Sequence, residues 1–384
     1  MADYLRGCRI KLYPTEEQKA LINRAIQIYR AAYNAALNIQ KQRYKETGKY
    51  TSFYKMENIF SGLRNNDENY SWLKEISMSN IREALADLDI AYRMFFKGIH
   101  RFPKYKSKKD YKKGLGSRSD RCKIYGSKIY VSGIGSIEAK SHGIPQGTRM
   151  YDTRITFDGY DYWYTCMYKH EMIDMSSVPK TEPVGIDVGI RQFATTSDGE
   201  VYQLSDISKL QKRLRRQHKR MSRYYNRYLA ESKRTTTKYE DIPKSKNMLK
   251  ALKKQRKTYD KIRNKRNTDV HSITKQIVSK NPSAIVIEDI KVRELQKDNW
   301  FKKRYPYPCF AMFRVQLQYK AEDRGIPVIV ADNQYPSTQI CSCCGQRHKM
   351  SSAKLFICPY CGFRIDRDLN AAINLKALAL NAGY

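Results

Sequence analysis

Between Cys341 and Leu375 the chain carries two kinds of metal-binding chemistry within 35 residues. Four cysteines form two pairs, Cys341-x2-Cys344 and Cys358-x2-Cys361, with 13 residues between them. Two such pairs can close on one tetrahedral ion, and four thiolates suit Zn2+. Gly345 and Gly362 follow the pairs, where the chain must turn tightly. Cys343 lies inside the first pair and is not expected to be a ligand. A disulfide framework fits less well, because nothing marks the chain as secreted. Downstream, Asp366, Asp368 and Asn370 lead into a pattern in which Asp368, Ala371, Ala372 and Leu375 share one helical face. Hard carboxylate oxygens suit Mg2+ or Mn2+. Asp366 reads as the helix cap. The two alanines would let the helix approach a sheet closely and carry Asp368 toward it.

Two upstream strands supply partners for Asp368. Val184 to Ile190 reads as a buried strand carrying one carboxylate, Asp187. Phe193–Thr196 and Val201–Leu204, around the Asp198-Gly199 turn, extend it into a three-stranded meander. Ala284 to Ile287 is a short apolar run ending in Glu288-Asp289, the pattern of a buried parallel strand. A helix over Cys309–Arg324 and a strand over Val328–Ala331 follow. Acids thus sit on the first strand, at the end of the fourth, and at the start of the last helix, which is the ribonuclease H arrangement. A buried acid is costly unless it is paired or binds a metal. Three carboxylates at one sheet edge can hold two divalent ions, which orient and activate water and stabilise the leaving oxygen of a phosphodiester.

The charge balance points to the same class of substrate. The chain has 384 residues and a net charge of +35, from 73 Lys and Arg against 38 Asp and Glu. That excess argues against an ordinary small-metabolite enzyme and for a polyanionic partner such as nucleic acid. The 30 tyrosines, against 12 phenylalanines, offer faces on which bases can stack. There is no apolar run of membrane-spanning length and no apolar segment in the opening MADYLRGCRI, so a reducing, cytoplasmic setting is expected, with no membrane partner.

The basic excess is spread over a run from Arg101, residues 209–266 and the C-terminal half. RFPKYKSKKDYKK, from Arg101, is basic with interleaved aromatics; it reads equally as a backbone-binding run or a solvated linker. Residues 209–266 are dense in Lys and Arg against Glu231, Glu240, Asp241 and Asp260. Leu210, Leu214, Met221, Tyr225 and Tyr228 mark one helix there, and Leu249, Leu252 and Tyr259 another. The expectation is a helical hairpin with an anion-binding face, since like charges at this density repel unless neutralised. No helix-turn-helix or other known groove-reading module is evident.

In the first 180 residues a strand over 8–13 is followed by a helix opened by a Thr15/Gln18 capping box. A loose stretch is expected near Gly62 to Ser71, and then a helix carrying Ile81, Leu85, Leu88, Tyr92 and Phe95. Cys122, Ile124, Ile129 and Val131 flank a Gly126-Ser127 hairpin turn. With Ile155, Phe157, Tyr162, Tyr164 and Cys166 they suggest a barrel-like unit of about five strands, which the strand at 8–13 could join.

GIDVGI, IVIEDI, the CSCCG and CPYCG pairs and DRDLNAAINL, in that order, resemble the TnpB proteins of insertion sequences. IKLYPTEEQ and RFPKYKSKK also match that family's pattern, so the resemblance spans nearly the whole chain. It implies an α+β multidomain fold: an RNase H-like (RuvC) nuclease domain with a zinc-ribbon insert, a wedge β-barrel and a helical recognition domain. The implied boundaries are 1–14 for the first wedge strand, 15–100 for the recognition domain and 101–180 for the rest of the wedge. The nuclease domain would take 181–335, with the basic hairpin at 207–268. The zinc ribbon would take 336–364, in a target-binding role, and 365–384 would return as the C-terminal nuclease helix.

The resemblance also implies Asp187, Glu288 and Asp368 as the catalytic, magnesium-binding acids. Asp368 is preferred over Asp366, and Glu288 over Asp289, by alignment to the family motifs. The zinc ligands would be Cys341, Cys344, Cys358 and Cys361. The implied activity is RNA-guided cleavage of double-stranded DNA beside a short adjacent motif. One protein chain would act with one guide RNA in a prokaryotic cell, at the nucleoid. All three acids are present, so nothing suggests an inactive relative. Compact type V CRISPR effectors share these motifs. A regulatory accessory with little cleavage and a guide-free nuclease of the same fold are the other readings.

Overall fold

The structure, a computed structural model, describes the whole chain except residues 1–3, 108–112, 118–121, 141–143, 145–147, 171–177, 190–191, 236–241, 243, 290–308, 333, 350–353 and 384. The end of the basic run from Arg101 and most of the separator expected over 235–245 fall outside the described residues. The chain divides into two compact units, Met1–Glu171 and Met172–Tyr384.

The first unit is built on β1 (Tyr4–Tyr13), which is central rather than peripheral. Its sheet also contains β2 (Lys113–Ser117), β3 (Cys122–Tyr125), β4 (Lys128–Val131), β5 (Gly135–Ala139), β6 (Met150–Phe157) and β7 (Tyr162–His170). The strand order is β2-β6-β7-β1-β5-β4-β3, seven strands rather than about five, and all described pairs are antiparallel. Cys8, Ile10 and Leu12 lie opposite Cys166, Tyr164 and Tyr162. The alternation read from the sequence thus marks the face that joins the core.

Against this sheet pack α1 (Glu16–Thr47) and, after α2 (Phe53–Asn66) and a 3-10 helix (Glu68–Glu75), α3 (Met78–Phe96); α2 and the 3-10 helix pack on these helices and share the same core. Thr15 and Gln18 form the expected reciprocal capping box. The loose stretch expected near Gly62–Ser71 is instead the end of α2 and the first half of the 3-10 helix. Met56, Phe60 and Leu73 are buried there, and their contacts override the Asn-rich composition.

The second unit is organised by a five-stranded mixed sheet: β8 (Val184–Asp187), β9 (Ala194–Thr196), β10 (Val201–Tyr202), β11 (Ile285–Glu288) and β12 (Val328–Ala331). The order is β10-β9-β8-β11-β12. The first three strands form an antiparallel meander, while β8, β11 and β12 run parallel. This is the order expected for a ribonuclease H-like sheet. Two long helices, α4 (Ser208–Thr235) and α5 (Lys246–Ser279), form the basic hairpin between β10 and β11. The last elements are α6 (Phe310–Glu322), the ribbon strands β13 (Leu355–Ile357) and β14 (Arg364–Asp366), and α7 (Arg367–Asn381).

The hairpin is longer than the sequence suggests. Its second helix continues past residue 268 to Ser279, because Val270, Ile273, Ile277 and Val278 pack on one face of the sheet. Each such burial stabilises the fold by about 1.5–3 kcal/mol. Leu249 and Tyr259, expected on the apolar face, are exposed, and Met248, Ala251 and Ile262 line it instead.

The opposite face of the sheet receives α7. Ile285 and Ile287 point to the α5–α6 layer, whereas Val286 packs with Leu375 and Ala379. The approach of α7 to β8 is closest at Gly185. A Cβ added there would lie 2.0 Å from the Ala372 carbonyl oxygen and 2.4 Å from the Lys376 backbone nitrogen. Only glycine on the strand, facing Ala371 and Ala372 on the helix, permits this packing. Because the obstruction is backbone, Gly185→Ala should cost at least about 2 kcal/mol. A denaturant midpoint equal to that of the unaltered chain would contradict the packing.

Candidate metal and carboxylate site

The sheet brings the three sequence-selected acids to one place. Ile186 pairs with Ile287 across parallel strands, so Asp187 and Glu288 follow side by side at the strand ends. Gly185 faces α7, and period-2 alternation puts Asp187 on the same side. There α7 begins and presents Asp368 from its first turn.

Asp187 is 7% exposed. Burial pushes its pKa well above the usual carboxylate range, and the charges of Glu288 and Asp368 push it further up. Arg367 only partly offsets them. Its guanidinium is held on Asp368 Oδ1 by hydrogen bonds of 3.2 and 3.3 Å. The neighbouring acids serve elsewhere. Asp366 caps α7, accepting from the backbone N–H groups of Asp368 and Leu369. Asp289 forms an ion pair with Arg314.

Sequence reasoning missed Ser337, whose hydroxyl donates to Glu288 Oε1. It also missed Asn374, which anchors the segment preceding the first cysteine pair. Asn370, read with the acids as a group ahead of the helix, lies inside α7. Its amide donates to the Ile340 carbonyl and its oxygen accepts from the Ser342 N–H, so it acts as a clamp. No ligand-type spacing marks Ser337 or Asn374 in the sequence.

The four cysteines Cys341, Cys344, Cys358 and Cys361 present sulfurs that all lie within 4.8 Å of one another. Cys341 and Cys361 sulfurs are 3.7 Å apart, and Cys344 and Cys358 sulfurs 3.6 Å apart. Each pair is a knuckle closed by a glycine at positive φ. The Gly345 N–H donates to the Cys341 carbonyl at 2.9 Å, and that of Gly362 to the Cys358 carbonyl at 3.0 Å. Phe356, fully buried, packs with Cys341 and Cys358 as the centre of this small ribbon. Cys343 is exposed and outside the cluster. The donor set, four convergent thiols and no open position, fits a tetrahedral thiophilic ion. Among the described residues this is the one group gathered so tightly. The carboxylates form a wider set whose mutual repulsion calls for cationic compensation.

The basic run behaves differently from a solvated linker over its described part. Its backbone is docked at Lys106, whose N–H donates to Asn34 and whose carbonyl accepts from Asn34 and Arg30. The Lys106 ammonium is engaged by Asp87 at 3.1 Å and sits 4.0 Å over the Tyr33 ring. Arg101, Lys104 and Tyr105 remain exposed, with Lys41 4.4 Å over the Tyr105 ring. Among the described residues no helix is long and apolar enough to cross a membrane.

Three family models match parts of the chain. The family model described as "Probable transposase" matches residues 166–299, and "Cas12f1-like, TNB domain" matches 310–375. A model described as "Helix-turn-helix domain" matches 1–49, although here those residues form β1 and the single continuous helix α1. A Streptomyces pristinaespiralis protein named "Putative RNA-guided DNA endonuclease" is 26% identical over 386 residues, spanning 100% of this chain and 91% of its own. The Escherichia coli K12 protein "Putative RNA-guided DNA endonuclease InsQ" is 26% identical over 395 residues, spanning 97% and 92%. A mimivirus "TnpB-like protein L79" is 25% identical over 213 residues, covering 52% of this chain and 38% of its own. Among solved structures, the Cas12f1 chain of a complex with sgRNA and target DNA shares the fold. Its TM-score is 0.55 at 11% identity, and the match covers 97% of this chain and 99% of that one.

The carboxylate cluster makes a thermodynamic prediction. A raised folded-state pKa means that the fold binds the Asp187 proton more tightly than the unfolded chain, whose value is near ~3.9. Stability therefore falls as pH rises from that value toward the folded one, and the cost persists at neutral pH. In chelator at neutral pH, Asp187→Asn should melt higher than the unaltered chain by about 2–8 °C. Equal or lower melting would show that Asp187 is not under this electrostatic load.

Proposed function

The chain belongs to the TnpB family, and on that premise we propose that it is an RNA-guided DNA endonuclease of an insertion sequence. It would cut double-stranded DNA beside a short adjacent motif. The observation that carries the reading is the buried Asp187 carboxylate, held in the field of Glu288 and Asp368 at the edge of a ribonuclease H-like sheet. The names of the relatives that span the whole chain support it.

In this reading Asp187, Glu288 and Asp368 hold Mg2+ or Mn2+, and their donor chemistry fits those ions. A pair of divalent cations held by these three acids would supply a means to orient a water and to stabilise the leaving oxygen of a phosphodiester. The residues of the chain supply the rest. Asp187 is fixed by strand pairing, Asp368 by the capped start of α7 and by Arg367, and Glu288 by Ser337. Cys341, Cys344, Cys358 and Cys361 would hold Zn2+ in a structural role.

The sheet of the first unit would be the wedge and α1–α3 the recognition unit. The basic hairpin α4–α5 and the exposed part of the run from Arg101 would grip nucleic-acid backbone without reading sequence. A three-acid site reads no sequence either. Specificity would pass to base pairing with a guide RNA, one per protein chain, with the protein reading only a short duplex motif.

Three measurements test this reading. Full-length protein stripped of RNA should leave a target plasmid intact in Mg2+ and cut it when guide RNA is restored. Sequence-specific cutting that ignores the RNA would leave a guide-free nuclease. Asp368→Ala should lower the cutting rate by at least about 100-fold while target binding persists, and Asp366→Ala should do less; a wild-type rate in Asp368→Ala would refute its role. Elemental analysis should find one zinc per chain, retained in Cys343→Ser and lost in Cys358→Ser. A zinc-free native protein would exclude the cysteine site.

A further inference from the structure

Glu288 closes β11 as a long, three-torsion side chain, and it needs something to fix its carboxylate. Ser337 does so: its hydroxyl donates to Glu288 Oε1. Ser337 is only 2% exposed, so water does not compete freely for the bond. Its own backbone is tied at both ends. Its N–H donates to the Tyr335 carbonyl at 2.9 Å. Its carbonyl accepts from Asn374 Nδ2 at 2.7 Å.

Asn374 also reaches the cysteine ribbon. Its amide donates at 2.7 Å to the Ile340 carbonyl, next to Cys341. The same carbonyl accepts from Asn370 Nδ2 at 2.7 Å, and Asn370 Oδ1 accepts from the Ser342 N–H at 3.0 Å. Asn370 and Asn374 are both buried and lie one turn apart on α7, the helix that carries Asp368. Residues 337–342 therefore touch both centres. One end holds a carboxylate of the proposed nuclease site, and the other begins the first cysteine knuckle.

We propose that Ser337 is a positioning residue for Glu288, and that the Ser337–Asn374–Asn370 network makes the cysteine knuckle a brace for the carboxylate centre. This rests on the carboxylates being divalent-metal ligands. Groups that hydrogen-bond a ligand carboxylate orient it, and their loss typically costs about 10–100-fold in metal affinity. The geometry also explains why a ribbon with no open metal position is joined to the nuclease sheet at this point. Its fold fixes Ile340 and Ser342, and through them the segment that presents Ser337.

The test is Mn2+ binding to the RNA-free full-length protein, followed by electron paramagnetic resonance of unbound Mn2+, with zinc counted on the same samples. Ser337→Ala should weaken the Mn2+ dissociation constant by about 10-fold and keep one zinc per chain. Ser337→Thr, which retains the hydroxyl, should stay close to the unaltered protein. Asn374→Ala leaves every proposed ligand in place and should weaken Mn2+ in the same direction. Tight Mn2+ binding in Ser337→Ala would overturn the positioning role, and tight binding in Asn374→Ala would overturn the brace. Glu288→Gln provides the separate control. If the unaltered protein has no Mn2+ site that this substitution removes, the carboxylate reading itself fails and the proposal fails with it.

Discussion

The carboxylate cluster of the second unit answers to one electrostatic constraint: Asp187 is buried beside two other carboxylates. Alone, that arrangement is unfavourable, since burial and like charge both oppose ionisation. A fold that keeps it must hold the acids rigidly against their own repulsion. Parallel pairing of β8 with β11 fixes two of them, and the third comes from the start of α7. The helix can lie close to the sheet only because Gly185 has no side chain where the helix backbone passes at Ala372 and Lys376.

The helix α7 therefore has two supports. One face rests on the sheet through Ala371, Ala372 and Leu375, all fully buried. Asn370 and Asn374 reach instead to the segment that opens the cysteine ribbon. Two buried amides would be costly if unsatisfied. Here they are satisfied by the Ile340 and Ser337 carbonyls and the Ser342 N–H, which turns a liability into a joint. The cysteine cluster and the carboxylate cluster are thus joined through one helix.

Much of this was legible in the residues, and the rest was hidden for physical reasons. The cysteine pairs, the Thr15/Gln18 capping box and the order of acids along the strands are short-range patterns, and short-range patterns survive in a sequence. The centrality of β1 was not legible, because its partners β5 and β7 lie more than a hundred residues away. The loose stretch near Gly62 was misjudged because Phe60 and Leu73 are anchored by tertiary contacts that composition does not report. The extension of α5 to Ser279 has the same origin, since only the folded sheet gives Ile273 and Ile277 something to pack on. Ser337 was invisible because a hydroxyl that orients a carboxylate needs no spacing rule. The run from Arg101 read equally as a backbone-binding run or a linker, because nothing in its composition shows that Asp87 and the Tyr33 ring engage the Lys106 ammonium.

The central claim is that sequence choice resides in an RNA and cutting in the Asp187 centre. The most direct measurement is to sequence the RNA that copurifies with the protein, exchange its target-matching segment, and map the cut on DNA carrying the new match. The account predicts that the cut moves to the new site, remains next to the same short motif, and disappears in Asp187→Asn. A cut that stays at the original sequence, or that persists without Asp187, would contradict it.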